Sequence, residues 1–331
     1  MLRLALVLFC LTSTVFADDA QKQFRDYMAA AAKLALTSGS QPYSAKWNYT
    51  ACCLKTGGQY TGTLIVEYVR PDLWRTEINN AASYQRVQID TKDALYLKST
   101  FEITPWREMQ MLDAVRRFEQ IADEHVKQHK GRRIRDIEAD CFTIESSSGS
   151  NTMYGGEYCF DPKRNVPVFA HFGGDDIDYL SFRQVGARTL PEHWEVRTHG
   201  RVAVSVQLAD ASDHAGNDAA SLQPAPGSLR KDPAPTCGTP LESGMLTKKV
   251  VPVYPESAKR NRQAGVVMIG AIIDKLGHIR KLGVIGSSGT KELDQSALDA
   301  VQHWQYKPYM QCGQPQEVET LITVDYNMGS R

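Results

Sequence analysis

The sequence predicts an α+β protein in which two folded domains are joined by a linker. The first two thirds carry many short consecutive strand patterns and two helical ones, which favours an antiparallel sheet over alternating βαβ units. Residues 210–240 are rich in Pro and Ala and show no hydrophobic period, as expected of a linker. The 331 residues can bury two cores. We therefore expect a β-rich domain at 18–209, the linker, and a small domain at 241–331.

The bulk charge of the chain is balanced. Lys plus Arg and Asp plus Glu each number 38, so composition gives no basis for attraction to nucleic acid or to an anionic membrane. The hydrophobic content of 42% and the charged content of 23% are those of an ordinary globular protein. We predict no nucleic-acid partner.

The first residues, "MLRLALVLFCLTSTVFA", have the order of a secretory signal. One cation, Arg3, precedes a short apolar run, and a small residue, Ala17, stands before the first acid. The run is shorter than the ~20 residues of a membrane-spanning helix. We predict a cleavable signal peptide at 1–17 and an exported soluble protein. The alternatives are an uncleaved membrane anchor, or acylation at Cys10, which follows a bulky residue where such sites prefer a small one.

Removal of the signal leaves six cysteines, and an exported compartment permits disulfides. Cys141 and Cys159 lie in neighbouring strand patterns, "DCFTIE" and "GEYCFD", so a cross-strand bridge between them is the first expectation. A bridge between Cys237 and Cys312 would attach the end of the linker to the last domain. The adjacent Cys52-Cys53 cannot share one strand face, and we assign that pair no partners.

Helix and hairpin signals define the first domain. "QKQFRDYMAAAAKLALTSG" predicts a helix that ends at Gly39. "GTLIVEYVRPDLWRTEI" predicts a hairpin that turns at Pro71-Asp72, and "TKD" is a turn between two further strands. A second helix begins at Pro105 and continues through "DEHVKQH", with apolar residues at helical spacing: Met109, Leu112, Val115 and Ile121. The remaining strand patterns run to Ala209.

Residues from Phe24 to Ala209 resemble the LolA/LppX-type half-barrel of periplasmic lipoprotein carriers. The points of similarity are the opening helix and the stretches "GTLIVEYVRPDLWRTE", "IDTKDALYLKS" and "CFDPKRNVPV". The resemblance implies a curved antiparallel sheet that holds an apolar ligand, such as a lipid, against two covering helices. The plain alternative is a β-rich domain whose core is filled by its own aromatic residues: Trp47, Tyr49, Trp74, Tyr96, Trp106 and Phe118.

The last domain can be assigned element by element. Pro255 suits the first turn of a short helix that ends near Gly265. "VVMIGAIID" is apolar on both faces, as in a buried or paired strand, and Gly277 supplies the positive φ of the turn into "IRKLGVIG". These stretches predict a short helix followed by a hairpin.

The stretch "SSGTKELDQSALDAVQHWQYKP" predicts an amphipathic helix that packs on this hairpin. Ser288 or Thr290 can cap its N-terminus, and "KELD" puts carboxylates in its first turn. Pro308 prevents its continuation. "EVETLITVDYN" then alternates as a final strand. The apolar face of the helix recurs every three or four residues: Leu293, Ala297, Val301 and Trp304.

This order of elements resembles the TonB C-terminal domain from about Leu246 to Tyr326. The residues that carry the resemblance are Tyr254-Pro255, Ala258, Gly265-Val266-Val267, Asp274, Gly277, Ser287-Ser288-Gly289, Leu293-Asp294, Ala297, Ala300-Val301, Trp304, Tyr306, Pro308, Gly313 and Pro315. The resemblance implies a small domain that reads peptides at a sheet edge. A segment of an outer-membrane or envelope partner, similar to the short box of an outer-membrane transporter, would add as a strand beside the last strand. The implied partner-binding residues are Tyr254, Pro255, Val318, Thr320, Ile322, Val324 and Tyr326.

The chain departs from the transducers of that family, which keep an N-terminal membrane helix and a long Pro-rich spacer. Here the N-terminal segment has the pattern of a cleavable signal, and a folded domain stands where the spacer should begin. We therefore expect a periplasmic docking protein. The alternatives are a periplasmic carrier of a lipid or apolar ligand, and an energy transducer if the N-terminal segment stays uncleaved.

Catalytic and metal-binding patterns fail on spacing. "GGDDID" at 173–178 lacks the regular oxygen spacing of a calcium loop, and "EHWE" at 192–195 fits a strand rather than a metalloprotease helix. "GSSG" at 286–289 matches neither a nucleophile elbow nor a P-loop. The cysteines have no zinc-site spacing. We predict no enzyme activity, no metal and no cofactor.

Overall fold

The structure is a computed structural model that describes residues 5–327, except 38, 40, 53–57, 82, 117–123, 147–155, 173, 214–221 and 233–244. Its elements in chain order are α1 (Ala5–Ala32), β1 (Tyr43–Ala51), β2 (Tyr60–Arg70), β3 (Leu73–Asn80), β4 (Gln85–Thr91), β5 (Leu95–Ser99), α2 (Trp106–Arg116), β6 (Glu124–Ile134), β7 (Ile137–Ser146), β8 (Gly156–Asp161), β9 (Val166–Phe172), β10 (Asp175–Val185), β11 (Arg188–Thr198), β12 (Arg201–Ser212), β13 (Leu229–Lys231), β14 (Leu246–Lys248), α3 (Glu256–Arg260), β15 (Gly265–Ile273), β16 (Ile279–Gly286), α4 (Lys291–Val301), β17 (Gln305–Tyr306), β18 (Tyr309–Gln311), β19 (Gln314–Gln316) and β20 (Val318–Tyr326).

The chain divides into two compact units. Within the described residues, the first holds α1, the strands from β1 to β13 and the part of α2 from Gln110 onward. The second holds Ser99–Met109 and everything from β14 to the end of β20. The first unit therefore extends past residue 209, where the sequence places its end.

A single open sheet forms the first unit. Its 13 strands follow the order β13-β5-β4-β3-β2-β1-β12-β11-β10-β9-β8-β7-β6, so most neighbours are consecutive hairpin partners, and β12 returns beside β1. The pairs β1/β2, β1/β12 and β6/β7 are antiparallel. The predicted fold class, an open antiparallel sheet with two helices, is confirmed.

The main core of this unit lies on one face of the sheet, and a smaller cluster around the Cys141–Cys159 disulfide lies on the other. Every second residue of β1 is buried, as a half-buried strand requires: Tyr43, Ala45, Trp47, Tyr49 and Ala51. Helix α1 covers part of that face, because the Phe24 ring lies 5.5 Å from Phe142 and the Tyr27 ring stacks on Phe160 at 4.8 Å. Of the other aromatics predicted for the core, Trp74, Tyr96 and Trp106 are half-buried, and Phe118 lies outside the described residues.

Both predicted helices of the first unit end earlier than the sequence suggests. Helix α1 ends at Ala32, not at Gly39, and the amides of the next three residues bond three residues back in a tighter turn. The predicted second helix is wrong from Glu124 onward. Residues from Glu124 form β6, because pairing with β7 overrides their local helical pattern. Ile121 lies outside the described residues.

Helix α1 runs through the predicted signal boundary at Ala17, and the signal peptide stays a prediction. Among the residues that the structure describes, no helix has both the length and the apolarity needed to cross a membrane.

Part of the predicted linker is sheet. Strand β12 continues to Ser212, and β13 pairs with β5, which places Leu229 opposite Leu97. The Lys98 ammonium donates to the Pro226 carbonyl at 3.1 Å. These residues cover what would otherwise be an exposed strand edge, and this explains why a Pro/Ala-rich composition does not keep them free of the sheet.

A disulfide joins Cys141 to Cys159, which face each other across β7 and β8 with an S–S distance of 2.02 Å. Cys52 and Cys312 are also disulfide-bonded. Cys53 and Cys237 lie outside the described residues, so the bridge predicted between Cys237 and Cys312 stays a prediction.

The second unit has the predicted hairpin–helix–strand organisation. Its main sheet has the order β16-β15-β20, and α4 packs on one face. Gly277 makes the hairpin turn with a φ of +85°, as predicted. Helix α3 ends at Arg260, short of the predicted Gly265. The core consists of Ala258, Val267, Ile269, Ala271, Leu293, Ala297, Val301, Trp304, Ile322, Val324 and Tyr326.

Candidate functional site

Strand β20 is an edge of the main sheet in the second unit. It pairs antiparallel with β15 over its whole length, from Val318 opposite Ile273 to Tyr326 opposite Gly265. In the described part of the chain, β15 is the one strand that pairs with it. Since main-chain groups of an antiparallel strand alternate between its two sides, half of those of β20 point away from β15. The edge can therefore accept a further strand.

The side chains predicted to bind a partner are mostly core residues. Val318, Ile322, Val324 and Tyr326 are at most 9% exposed, and the last three pack in the cluster beneath α4. Thr320 is half-buried. These residues can therefore offer a partner their main chain, while their side chains hold the strand in place.

The Tyr254-Pro255 segment lies at the C-terminal end of β20. The Tyr254 ring meets the Tyr326 ring edge to face with centroids 5.4 Å apart, and its hydroxyl donates to the Gln263 carbonyl. Pro255 directly precedes α3 with a φ of −62°, which suits a helix start. The structure thus brings Tyr254 against the last residue of the predicted binding strand, and Pro255 follows it at the start of α3.

The residues just before Tyr254 form an extended segment along α4 that sequence reasoning missed. The Trp304 indole N–H donates to the Val250 carbonyl at 2.8 Å, and the Ser296 hydroxyl donates to the Val253 carbonyl. The side chains of Val251 and Val253 are each 75% exposed. The alternation of valines around a proline was the available signal, because Pro favours extended backbone.

The turn between β16 and α4 is fixed by a carboxylate inside the helix. Asp294 accepts hydrogen bonds from the Ser288 amide at 2.9 Å, from the Ser288 hydroxyl at 2.8 Å and from the Ser287 hydroxyl at 2.5 Å. Thr290 occupies the N-cap position without a side-chain capping bond. Capping by Thr290 is therefore wrong, and Asp294 organises this turn instead.

Three tyrosines of the second unit have buried or half-buried side chains. Burial raises the pKa of the Tyr326, Tyr309 and Tyr306 phenols above the ordinary value of 10.0, because it disfavours the charged phenolate. Among the described residues, one group of three possible metal ligands comes close together, and it is Cys141, Glu157 and Cys159 in the first unit. Its two sulfurs form the disulfide and are not thiolate ligands.

Three solved structures with some likeness to the chain have TM-scores below 0.5. A DUF1329 family protein from Desulfovibrio piger gives 0.42 at 7% identity, covering 60% of this chain and 96% of that one. A putative outer membrane lipoprotein-sorting protein domain from Vibrio parahaemolyticus gives 0.43 at 9% identity, covering 62% and 97%. A LolA superfamily protein from Nitrosomonas europaea gives 0.40 at 12% identity, covering 57% and 92%. No functional conclusion rests on these values.

Comparisons of the sequence match part of the chain. Over 71 residues the chain is 37% identical to "Protein TonB" of Vibrio cholerae, which is 22% of this chain and 29% of that protein. The chain thus spans less than a third of the length of that relative. Residues 250–328, which include β15, β16, α4 and β20, match the family described as Gram-negative bacterial TonB protein C-terminal.

Proposed function

We propose that the second unit docks an extended segment of an outer-membrane or envelope protein by β-strand addition to β20. The observation that carries the proposal is that β20 pairs with β15 alone over nine residues in the described chain. An added strand would draw its affinity from main-chain hydrogen bonds, so recognition would depend only loosely on the sequence of the partner.

The surroundings of β20 favour this role. Its core-facing side chains fix the strand before a partner arrives, and a pre-organised strand loses little conformational freedom on binding. Val251 and Val253 offer exposed apolar surface on a segment that ends at the Tyr254–Tyr326 contact. An arriving segment could cover these valines. The proposed activity is binding, without catalysis or a cofactor.

The proposed location is the periplasm, and it depends on the predicted signal peptide at 1–17. If that segment is removed, the protein acts as a soluble docking module. If it is retained, the same module is anchored to the membrane and could serve as an energy transducer. N-terminal sequencing of the mature protein decides between the two forms.

The docking proposal is tested by site-specific photocrosslinking of the full chain in envelope membranes. A crosslinker at the exposed Thr323 of β20 should form adducts with an outer-membrane or envelope protein, and mass spectrometry should map them to one extended segment. A crosslinker at Leu276, which is 70% exposed in the hairpin turn, is the positional control. Equal adduct yields at both positions would contradict docking at β20.

A proline in β20 tests the binding mode. Ile322→Pro removes a main-chain donor from the strand and should abolish the Thr323 adduct, whereas Ile322→Val keeps the donor and most of the packing. Both variants are checked for retained fold by circular dichroism. Adduct formation that survives the proline in a folded protein rules out strand addition.

A second candidate function, carriage of an apolar ligand by the first unit, is favoured by one observation. The Trp194 indole N–H is buried without a hydrogen-bond acceptor among the described residues, and its ring lies 6.2 Å from Trp47. A buried donor without an acceptor is costly, and the polar group of a bound ligand could supply one. Native mass spectrometry of the purified protein tests this function: a co-purifying lipid supports it, and a ligand-free mass in gentle detergent-free conditions argues against it.

A further inference from the structure

Residues Ser99–Met109 belong to the compact second unit, although more than a hundred residues separate them from the C-terminal part of that unit. This segment begins at the last residue of β5 and includes the first residues of α2. Three of its residues, Glu102, Ile103 and Thr104, contact the main sheet of the second unit. Together they cover the face opposite α4.

The part of the sheet that Ile103 contacts contains two paired glycines, Gly270 and Gly283. In β15, Val267, Ile269 and Ala271 belong to the core on the α4 side, so Gly270 faces the other way. Gly270 lies directly opposite Gly283 of β16. The two missing side chains leave a hollow on this face.

Ile103 fills the hollow. A Cβ atom added at Gly270 would lie 2.4 Å from the Cγ2 atom of Ile103, which is closer than carbon atoms approach. A Cβ atom added at Gly283 would lie 3.7 Å from the Ile103 Cδ1 atom, an ordinary contact distance. Gly270 therefore sets how closely Ile103 can approach, and Gly283 leaves room beside it.

Charged groups hold the residues on both sides of Ile103. The Glu102 carboxylate pairs with Arg280 at 2.9 Å and with Lys281 at 3.3 Å, both on β16. On the other side, the Thr104 amide donates to Glu319 Oε1 at 2.5 Å, and the Thr104 hydroxyl donates to Oε2 at 3.2 Å. Glu319 belongs to β20, so the contact extends from one edge strand of the sheet to the other.

We propose that this face is a second peptide-binding surface, occupied by Glu102–Thr104 as an intramolecular ligand. The surface would recognise three features of a peptide. Arg280 and Lys281 would bind a carboxylate, and the hollow at Gly270 and Gly283 would hold a β-branched aliphatic side chain. Glu319 would accept a hydrogen bond from a main-chain amide. The surface is separate from the outer edge of β20, and its existence does not depend on peptide docking at that edge. The hydrogen bonds between Thr104 and Glu319 connect the segment before α2 to β20, and they should therefore stabilise that strand.

The proposal is tested by hydrogen exchange of the full chain, with its disulfides intact and mass spectrometry as the readout. Gly270→Ala should displace Ile103 and speed amide exchange about tenfold in both 99–105 and β20, because overpacking makes the bound arrangement unfavourable. Gly283→Ala is the matched control and should leave both regions protected. Strands β7 and β8 of the first unit serve as the internal reference.

The decisive comparison is a double-mutant cycle with Ile103→Ala. If Ile103 occupies the hollow, Gly270→Ala should have no further effect on residues 99–105 once that side chain has been shortened. The proposal is overturned if Gly270→Ala speeds amide exchange in residues 99–105 equally in the Ile103 and Ile103→Ala backgrounds.

A second variant covers the case in which Gly270→Ala disrupts the sheet itself. Ile103→Asp leaves the sheet sequence intact and should release 99–105 and expose β20 to the same degree. The proposal is also overturned if residues 99–105 and β20 are as well protected from exchange in Ile103→Asp as in the unaltered chain.

Discussion

The ring of Tyr254 stands edge to face against the ring of Tyr326, with centroids 5.4 Å apart. The contact joins the segment before α3 to the last residue of β20, so the two parts of the predicted binding site meet in one aromatic pair. It also anchors the segment that exposes Val251 and Val253. The position of this segment therefore depends on the same residues that end the binding strand.

Two substitutions of Tyr254 should separate the contributions of its ring and of its hydroxyl to the stability of the second unit. Tyr254→Ala loses the aromatic pair and the hydrogen bond to Gln263, and should destabilise the second unit by about 2 kcal/mol. Tyr254→Phe keeps the ring and should cost only about 1 kcal/mol. Hydrogen exchange of the β15 amides measures both changes. Equal costs for the two variants would mean that the ring contact contributes nothing.

The hairpin turn before β16 tolerates no side chain at Gly277. A Cβ atom there would lie 2.0 Å from the Tyr306 carbonyl oxygen, and the φ of +85° is strained for any other residue. Gly277→Ala should destabilise the second unit by more than about 3 kcal/mol.

Gly289 is the matched control for Gly277. Its φ is +88°, and an added Cβ would meet nothing within 4 Å in the described structure. Gly289→Ala should therefore cost only the backbone strain, about 1 to 2 kcal/mol. The same β15 amides report both variants, and a similar cost at the two positions would show that the contact with Tyr306 is unimportant.

The second unit could be predicted from its sequence because its local signals agree with one another. Pro255 marks a helix start, Gly277 a turn with positive φ, and the spacing of Leu293, Ala297 and Val301 the buried face of α4. Each signal depends on nearby residues, so no knowledge of the rest of the chain is needed.

Features that depend on distant residues could not be predicted in this way. Residues from Glu124 have a helical pattern but pair with β7, because pairing across a sheet outweighs a weak local preference. Nothing in the sequence near Thr104 indicates that its amide bonds to Glu319, which is 215 residues away. Five of the predicted binding residues lie on β20, and their role stays a prediction. The burial of Ile322, Val324 and Tyr326 follows from the packing of α4, which single-residue patterns do not reveal.

The stability of the second unit should fall at high pH partly through Tyr326. Burial raises the pKa of this phenol above its ordinary value of 10.0, so the folded protein favours the neutral form. The resulting stability is fully present below the unfolded pKa and is lost as pH rises from there through the folded pKa. The thermal unfolding temperature of Tyr326→Phe should fall less steeply above pH 10 than that of the unaltered chain. Parallel curves would show that Tyr326 does not ionise with unfolding.

The indole of Trp304 should control access to the segment before Tyr254. Its N–H bond to Val250 fixes this segment just beyond the C-terminal end of α4, and Lys248 and Lys249, both exposed residues, lie just upstream. Trp304→Phe keeps a large ring in the core but removes the donor, which should loosen the segment at a cost of about 1 kcal/mol. Limited trypsin digestion should then cut after Lys248 or Lys249 roughly fivefold faster, since cleavage follows the population of the opened segment.

Ser296→Ala removes the second anchor, at Val253, and should have a smaller effect at these sites because that anchor lies farther along the segment. Unchanged cleavage in Trp304→Phe would mean that packing, rather than this hydrogen bond, holds the segment on the helix.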